Sequence, residues 1–563
     1  MPLMGTRGAA SAKAFGFMGG VAPPGNITSL TLRSLSPTVV QTKAGAPTPA
    51  PTGYKSVANP GSITATGASR YLQISGLSAS TAYTVSGYAT NAGGQSATPV
   101  NASFTSAAAT WTTTGLGSFG LSTNNTTSQF PLKAAYSSVL GYIIGGSNSG
   151  VNVNGLNGNI TSITPSTGAI SYQQQYEATV GATQITGVAV NTAGDMYISL
   201  NSSADGTNPN GAFPVVMKYN SSYVLQWQNR FPWAATPSRS FATAYAGASD
   251  NYNNGNNNFI VGGRLSDGTT KGAAVMAIQA NGISAGFVSY QVTSASYQVL
   301  PFSTSSNNNY IVVGGQVDYG GGQGSVYRGY IAMWTNNLVG WGNASVSMGI
   351  GSSPGSVNSV AFVPGSTSTT FYAGGYTTDG NFQNKAVLLQ MAGVGITTNA
   401  TMYDGLDNYQ VGTVKCSTDG FVYVTVYGGP ITKWYLLKFN ASTPGALVLQ
   451  WQRVIDITTS ANAFKSIKDI IIEGTSYICL VMEAPEDPYF VGYTRLPVDG
   501  TKTGTYTVGT NTFSYQTSAL TVVAGEPAID VNGLLTYNNI GANNETSTFI
   551  PSSVSSNVQA TTI

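Results

Sequence analysis

A short apolar run recurs seven times along this chain, and that recurrence limits the fold more than any other feature. The copies are Tyr142-Ile-Ile-Gly-Gly, Met196-Tyr-Ile-Ser-Leu, Phe259-Ile-Val-Gly-Gly, Tyr310-Ile-Val-Val-Gly-Gly, Phe371-Tyr-Ala-Gly-Gly, Phe421-Val-Tyr-Val-Thr-Val and Tyr477-Ile-Cys-Leu-Val. Their starts are 54, 63, 51, 61, 50 and 56 residues apart. A period of this size built from strands marks a repeat architecture, and in an all-β chain it points to the blades of a β-propeller. Each marker run is followed by a second apolar stretch, such as Ala274-Val-Met-Ala-Ile-Gln or Tyr435-Leu-Leu-Lys-Phe-Asn. A turn then leads to a third run. Val-Leu-Gln-Trp-Gln occurs in identical form at Val224 and Val448, four repeat lengths apart. A fourth run precedes the marker, as in Ile185-Thr-Gly-Val-Ala-Val and Val357-Asn-Ser-Val-Ala-Phe. Four strands per repeat is the content of a propeller blade. The spacing predicts about seven blades over residues 111–510, with six or eight as alternatives. The Gly pairs are expected where strands crowd the channel or bulge. The Trp and Tyr residues at blade ends are expected to pack between blades.

Composition narrows the function classes. Charged residues are 7% of the 563, against about 25% in an average soluble protein. Hydrophobic residues are 42%, enough for a sizeable core and unlike a disordered chain. The 22 Lys+Arg and 20 Asp+Glu are spread without a basic cluster, so a nucleic-acid partner is not expected. No apolar run reaches about 18 residues, so membrane insertion is not expected. The absence of histidine removes Ser-His-Asp and Cys-His constellations and histidine-ligated zinc. Cys416 and Cys479 sit in strand-like runs of adjacent repeats and read as buried free thiols rather than a disulfide framework.

Paired carboxylates could still run a glycosidase without histidine. The candidates are Glu177, Asp195, Asp205, Asp250, Asp267, Asp318, Asp379, Asp404, Asp407 and Asp419. Most lie in Gly/Asn-rich turns, where Asp is favoured for turn chemistry alone. Glu483, Glu486 and Asp487 read as a solvated acidic loop. The Gly-rich stretch from Gly314 lacks the Lys-Ser/Thr of a phosphate loop, and no calcium-loop pattern occurs. The expectation is a non-enzymatic protein with no cofactor and no metal.

The remaining segments organise the chain. Residues 23–107 alternate apolar and polar residues in short runs between Gly/Pro/Ser clusters, the pattern of a small sandwich. Leu77-Ser-Ala-Ser-Thr-Ala-Tyr83-Thr-Val-Ser-Gly-Tyr-Ala-Thr-Asn91 resembles the E–F corner of fibronectin type III domains, with Tyr83 where a tyrosine hydroxyl ties back to the corner. That resemblance implies a spacer. The stretch from Lys43 to Tyr54 is Pro/Ala-rich and reads as a loop. Ala193-Gly-Asp-Met-Tyr and Thr418-Asp-Gly-Phe-Val-Tyr resemble the bacterial propeller repeats labelled SBBP repeats. Residues 511–563 form a coda expected to supply a ring-closing strand, from Ala519–Val523 or Leu534–Tyr537, that completes the first blade. Its polar end, from Asn543, is expected to be mobile or bound to a partner.

Residues 1–22 are broken by Gly16, Gly19 and Gly20, so they do not read as a secretory signal but as an attachment arm. Met4-Gly-Thr-Arg-Gly-Ala-Ala-Ser-Ala-Lys-Ala14-Phe-Gly-Phe resembles the N-terminus of virion structural proteins of phages infecting cyanobacteria, with Ala14 where that pattern often has Gly. The resemblance implies a virion part, assembled in the host cytoplasm in multiple copies and docked through its arm to other virion proteins. A tail or fibre component that adsorbs to a host-surface glycan or protein is the leading expectation, with avidity offsetting weak single sites. The alternatives are a head or tail decoration protein, a polysaccharide-acting propeller enzyme and a bacterial surface adhesin. The recognition loops are expected at 250–258, 318–324 and 377–382, with Asp250, Tyr252, Asp318, Tyr319, Thr377 and Phe382 as contact residues.

Overall fold

The computed structural model describes residues 21–562 apart from single residues and loop segments, the longest being 121–132, 203–212, 231–239, 243–257 and 457–465. Every regular element among the described residues is a β-strand. The chain divides into two units, residues 1–110 with 557–561, and residues 111–556 with 562–563.

The first unit has two sheets. Leu30–Ser36, Val39–Ala44 and Tyr71–Ser75 form one. Ile63–Gly67, Gly53–Asn59, Ala82–Asn91 and Val100–Thr105 form the other, with Ala82–Asn91 between Gly53–Asn59 and Val100–Thr105. Alternation along Ala82–Asn91 turns Tyr83, Val85 and Ala89 inward, where Tyr83 and Val85 meet Val40, Ile74 and Leu77. This is the period-two burial of a half-covered strand. The Ser78 backbone N–H donates to the Tyr83 hydroxyl at 2.8 Å, five residues back at the corner.

The second unit is a succession of small antiparallel sheets on the plan of a β-propeller. Among the described residues there are seven, spanning Lys133–Glu177, Thr183–Arg230, Ser240–Thr293, Gln298–Met348, Gly355–Tyr403, Gln410–Asp456 and Ser466–Pro497. They are numbered one to seven here. The seven marker runs are the second strands of the seven sheets, and the stretches after them are the third strands. Each sheet contacts the next, and the first strand of sheet seven also lies against that of sheet one. The turns joining first to second and third to fourth strands therefore share one face, the hairpin face. The connections from second to third strands, and from sheet to sheet, share the opposite, crossover face.

The first strands explain the Gly pairs. In sheets two, four, five, six and seven this strand carries a register shift, as between Pro301 and Ser303 or Val357 and Ser359. A bulge swells the strand locally, and the marker strand of the sheet before must make room. A Cβ on Gly145 would lie 2.7 Å from Val188 and 2.8 Å from Ile185, and one on Gly314 would lie 2.6 Å from Val357 and 2.7 Å from Val360. The second glycine crosses its own sheet's bulge: a Cβ on Gly315 would meet the backbone of Leu300 and Pro301.

Two features depart from the sequence-based expectation. The coda does not complete the first sheet. The fourth strand of sheet seven is Gly115–Gly120, from upstream of all the repeats, paired with Phe490–Pro497. The coda instead runs backwards round the unit and lays a fifth strand on sheet after sheet. Asn511–Thr517 pairs on sheet six, Thr521–Ala524 on five, Ile529–Asn532 on four, Thr536–Ile540 on three, Glu545–Thr546 on two and Ile550–Ser553 on one. Part of the polar tail from Asn543 is thus held in sheet pairing, contrary to the expectation of a mobile or partner-bound end. An outer strand of this kind covers edges that would otherwise offer unpaired N–H and C=O groups.

Candidate recognition surface and central channel

The first strands line a channel, and their side chains stitch neighbouring sheets together. After the bulge, a side-chain oxygen accepts an N–H from the first strand of the next sheet. Val360 N–H donates to Ser303 Oγ at 3.1 Å and Val414 N–H to Ser359 Oγ at 2.9 Å. At the junction of sheet seven with sheet one the corresponding residue is Asp469, which accepts from Ala134 N–H at 2.9 Å. Its other oxygen accepts from Ile470 N–H at 2.9 Å and lies 3.6 Å from Lys415 Nζ. A cavity of about 90 Å³ opens on this spot, with Lys133, Lys415, Lys468 and Asp469 in its wall beside Ser303, Asn358 and Thr413. Lys468 pairs with Glu483 at 2.9 Å. Nearer the hairpin face the channel widens to about 330 Å³, with Tyr136, Phe362, Pro364 and Ile472 in its wall. Sequence reasoning missed these lysines. Their one signal was that in a chain so poor in charge, Lys133, Lys415 and Lys468 all lie just before marker runs.

A second charged cluster secures the same junction. Arg495 holds Glu473 in a forked pair at 2.6 and 2.9 Å, and the Tyr142 hydroxyl of sheet one donates to the same carboxylate. Arg495 also donates to Thr113 O and stacks 3.7 Å from the centre of the Tyr477 ring. The Glu473 hydrogen bond pushes the Arg495 guanidinium's pKa up against the opposing effect of burial. Burial pushes the Tyr142 phenol well above its ordinary range, with Cys479 and Glu473 adding to it.

The blade-end aromatics pack between sheets. Trp227 Nε1 donates to Ala280 O at 2.8 Å, Trp451 Nε1 to Val498 O at 3.0 Å, and Trp111 Nε1 to Pro165 O. In each case the indole lies on a glycine of the next sheet's turn, Gly282, Gly500 and Gly168 respectively, with φ of 88°, 74° and 70°. Only glycine takes that backbone freely while leaving room for the ring. Three junctions thus share one clasp. Tyr172 and Tyr223 serve another, stacked at 4.1 Å.

Of the expected contact residues, Asp318 and Thr377 lie in the second strands of sheets four and five. Asp250, Tyr252, Tyr319 and Phe382 lie outside the described residues, and Asp318 is the last residue of its strand. Thr377 is 6% exposed, paired opposite Gly355 inside sheet five, which removes it as a contact.

Of the carboxylates weighed for catalysis, Asp195 pairs with Lys218 at 2.9 Å and accepts from Asn191 at 3.1 Å. Asp419 accepts from Ser417 within its own turn. Glu177 ends its strand. Asp205, Asp267, Asp379, Asp404, Asp407, Glu486 and Asp487 lie outside the described residues. Among the described residues no group of three or more His, Cys, Asp or Glu side chains could hold a metal. Cys416 and Cys479 are both free and buried, and burial raises the Cys479 thiol's pKa far above its usual range.

No family model and no curated protein matches the chain. Among solved structures it is similar to Sqt1 of Chaetomium thermophilum, determined bound to the N-terminus of the ribosomal protein L10. That likeness has 11% identity, covers 66% of this chain and 100% of the other, and has a TM-score of 0.31, too low to speak for shared function.

Proposed function

We propose that this chain is a non-enzymatic structural protein of a phage particle, a tail or fibre component that presents a seven-bladed β-propeller to the host surface behind a fibronectin type III-like spacer. One observation carries the display reading. Of the six strand connections of eight or more residues in the second unit, five, 121–132, 203–212, 231–239, 319–326 and 457–465, join strands on the crossover side, and one, 243–258, on the hairpin side. Rigid sheets with variable loops on one face are the usual arrangement for recognition. The loops after Asp318 and after Thr378 are the recognition elements in this reading, and the ligand is a glycan or protein of the host envelope. The propeller count rests on seven sheets with four strands each and sheet seven completed by Gly115–Gly120. The spacer reading rests on the sheet order of the first unit and the Tyr83 corner bond. The virion reading rests on the resemblance of the N-terminal arm.

Gold-tagged antibody against residues 111–556, applied to purified phage particles, tests it. Label at the distal tail or fibres, with host adsorption blocked by the purified protein, is the expected result. Label spread over the head would make it a decoration protein. Particles without the protein would end the virion reading, and cleavage of host polysaccharide by the purified protein would end the non-enzymatic one.

A further inference from the structure

The three lysines of the channel play no part in the proposed function, and they do not belong to the repeat. Strand pairing sets Lys133 opposite Gly145, the place that Ser303 and Ser359 hold opposite Gly314 and Gly374. Ser359 and Asp469 accept corresponding N–H groups, so Lys468 holds the place of Asn358. Val360 and Val414 donate corresponding N–H groups, so Lys415 holds the place of Ala361. A lysine thus replaces a small neutral residue once in each of three successive sheets, six, seven and one. The first strands of the seven sheets hold no other lysine or arginine. A side chain inherited with the repeat would recur from sheet to sheet, whereas these three occur singly and meet in the wall of one cavity. Departures of this kind from a local pattern mark functional sites. Lysine supplies three of the fourteen residues of that wall, while Lys and Arg together are only 22 of 563 in the chain.

Gathering ammonium groups away from bulk water is costly unless negative charge offsets them. Asp469 lies in the wall, 3.6 Å from Lys415, and Glu483 stands 2.9 Å from Lys468. These three ammonium groups against these two carboxylates leave one formal positive charge in excess. The Lys415 side chain is only 15% exposed, so solvent screens its attraction for an anion weakly. The size of the cavity selects the anion. At about 10–15 Å³ for each water-sized group, its volume of about 90 Å³ takes an ion of about five heavy atoms and no sugar ring. Several ammonium donors around one small centre suit an ion with an acceptor oxygen on every side. The wider stretch toward the hairpin face shares Ala134 and Lys415 with the cavity, which gives the ion a way in. Apolar side chains in that stretch, Phe362, Pro364 and Ile472 among them, concentrate the field of the lysines. We infer that the channel binds a small tetrahedral oxyanion, of the phosphate or sulfate type, between Lys133, Lys415 and Lys468, and that the ion ties sheets six and seven to sheet one. The inference does not depend on the particle to which the chain belongs.

Equilibrium dialysis of the full chain against radiolabelled inorganic phosphate, at neutral pH with chloride holding the ionic strength constant, reads the result. Charge-assisted hydrogen bonds contribute roughly tenfold or more each, so three should give saturation at one phosphate per chain with a dissociation constant of about 1 mM or tighter. Lys133→Met and Lys468→Met should each weaken binding about tenfold or more. Asp469→Ser removes the opposing charge and should tighten it. Effects of opposite sign within one cavity separate a bound ion from a purely structural role for these side chains. Circular dichroism in phosphate-free buffer checks that each variant folds. Lys133→Arg should recover the binding that Lys133→Met loses, and Lys502→Met, at an exposed lysine beyond sheet seven, should leave it unchanged. Sulfate should displace phosphate from the wild type. No saturable uptake at roughly 10 mM phosphate overturns the inference, as does uptake that the lysine variants leave unchanged. Glucuronate that displaces phosphate better than sulfate does also overturns it, in favour of the acid group of a glycan.

Discussion

Asp469 is where the account makes its most exposed energetic claim. The residue replaces, at the junction of sheets seven and one, the serine used after the bulge in sheets four and five. Its carboxylate accepts from Ala134 N–H and faces Lys415 at 3.6 Å, with side chains only 7% and 15% exposed. At that distance and an effective dielectric near 20 the attraction is roughly 4–5 kcal/mol before desolvation is subtracted. Asp469→Ala removes it and leaves the Ala134 N–H without its acceptor. Breaking one side of such a pair costs about 3–5 kcal/mol. Asp469→Ser restores an acceptor like that of Ser303 and Ser359 but not the charge, and should cost about 2 kcal/mol. Adding Lys415→Met to Asp469→Ser removes the ammonium that faced the carboxylate, and the pair together should cost only about 1 kcal/mol. Guanidinium unfolding followed by both tryptophan fluorescence and circular dichroism gives the values, and hydrogen exchange at Ala134 reports the junction directly. An Asp469→Ala variant within about 0.5 kcal/mol of wild type would refute the reasoning. So would a double variant less stable than Asp469→Ser alone.

Other outcomes follow from the same geometry. Gly282→Ala puts a Cβ at φ 88° and 2.9 Å from the Trp227 ring, and should cost about 2–4 kcal/mol in chemical unfolding. Gly365→Ala, at φ 74° with nothing within 4 Å, should cost only about 1 kcal/mol; equal costs would remove the clasp as an explanation. Burial raises the phenol pKa values of Tyr142, Tyr176, Tyr330 and Tyr493 well above normal. Raised folded values mean stability that is intact below the unfolded pKa near 10 and falls as the unfolded chain ionises above it. Four such groups should cost about 5 kcal/mol per pH unit above about pH 10.5, read as falling unfolding midpoints from pH 9 to 11.5; a flat profile would contradict the burial of these rings. Truncation after Ala524 keeps Phe513, Tyr515 and Leu520 in the core but strips the outer strand from sheets one to four and from sheet seven. It should lower the melting temperature by only a few degrees while promoting concentration-dependent aggregation through the bared edges, measured by light scattering; global unfolding would make the coda part of the folding core.

The sequence was informative where burial repeats. Tyr142, Phe259, Phe371 and their counterparts begin strands packed on both faces, so the marker runs stay apolar and the period survives. The glycines recur because the neighbouring bulge, at Val357–Ser359 for example, forbids a side chain. What escaped reading was held by other forces. Gly115-Leu-Gly-Ser-Phe-Gly is too short and glycine-rich to announce a fourth strand, and its partner lies some 370 residues away. The coda strands, such as Glu545–Thr546, are two to seven residues long and held by backbone pairing, which leaves no apolar alternation to detect. Lys415 and Asp469 are 54 residues apart in sequence and meet only because two bulged strands converge on one channel. Thr377 read as a loop residue because Thr-Thr-Asp-Gly resembles a turn, yet the strand continues through it to Thr378.

Cryo-electron microscopy of the purified full chain, viewed down the channel, tests the architecture on which the rest depends. The account predicts seven sheets in a closed ring, with Gly115–Gly120 filling the fourth place of sheet seven and the coda outside the fourth strands. A ring of another number, or density that places a coda strand in that fourth position, would contradict it.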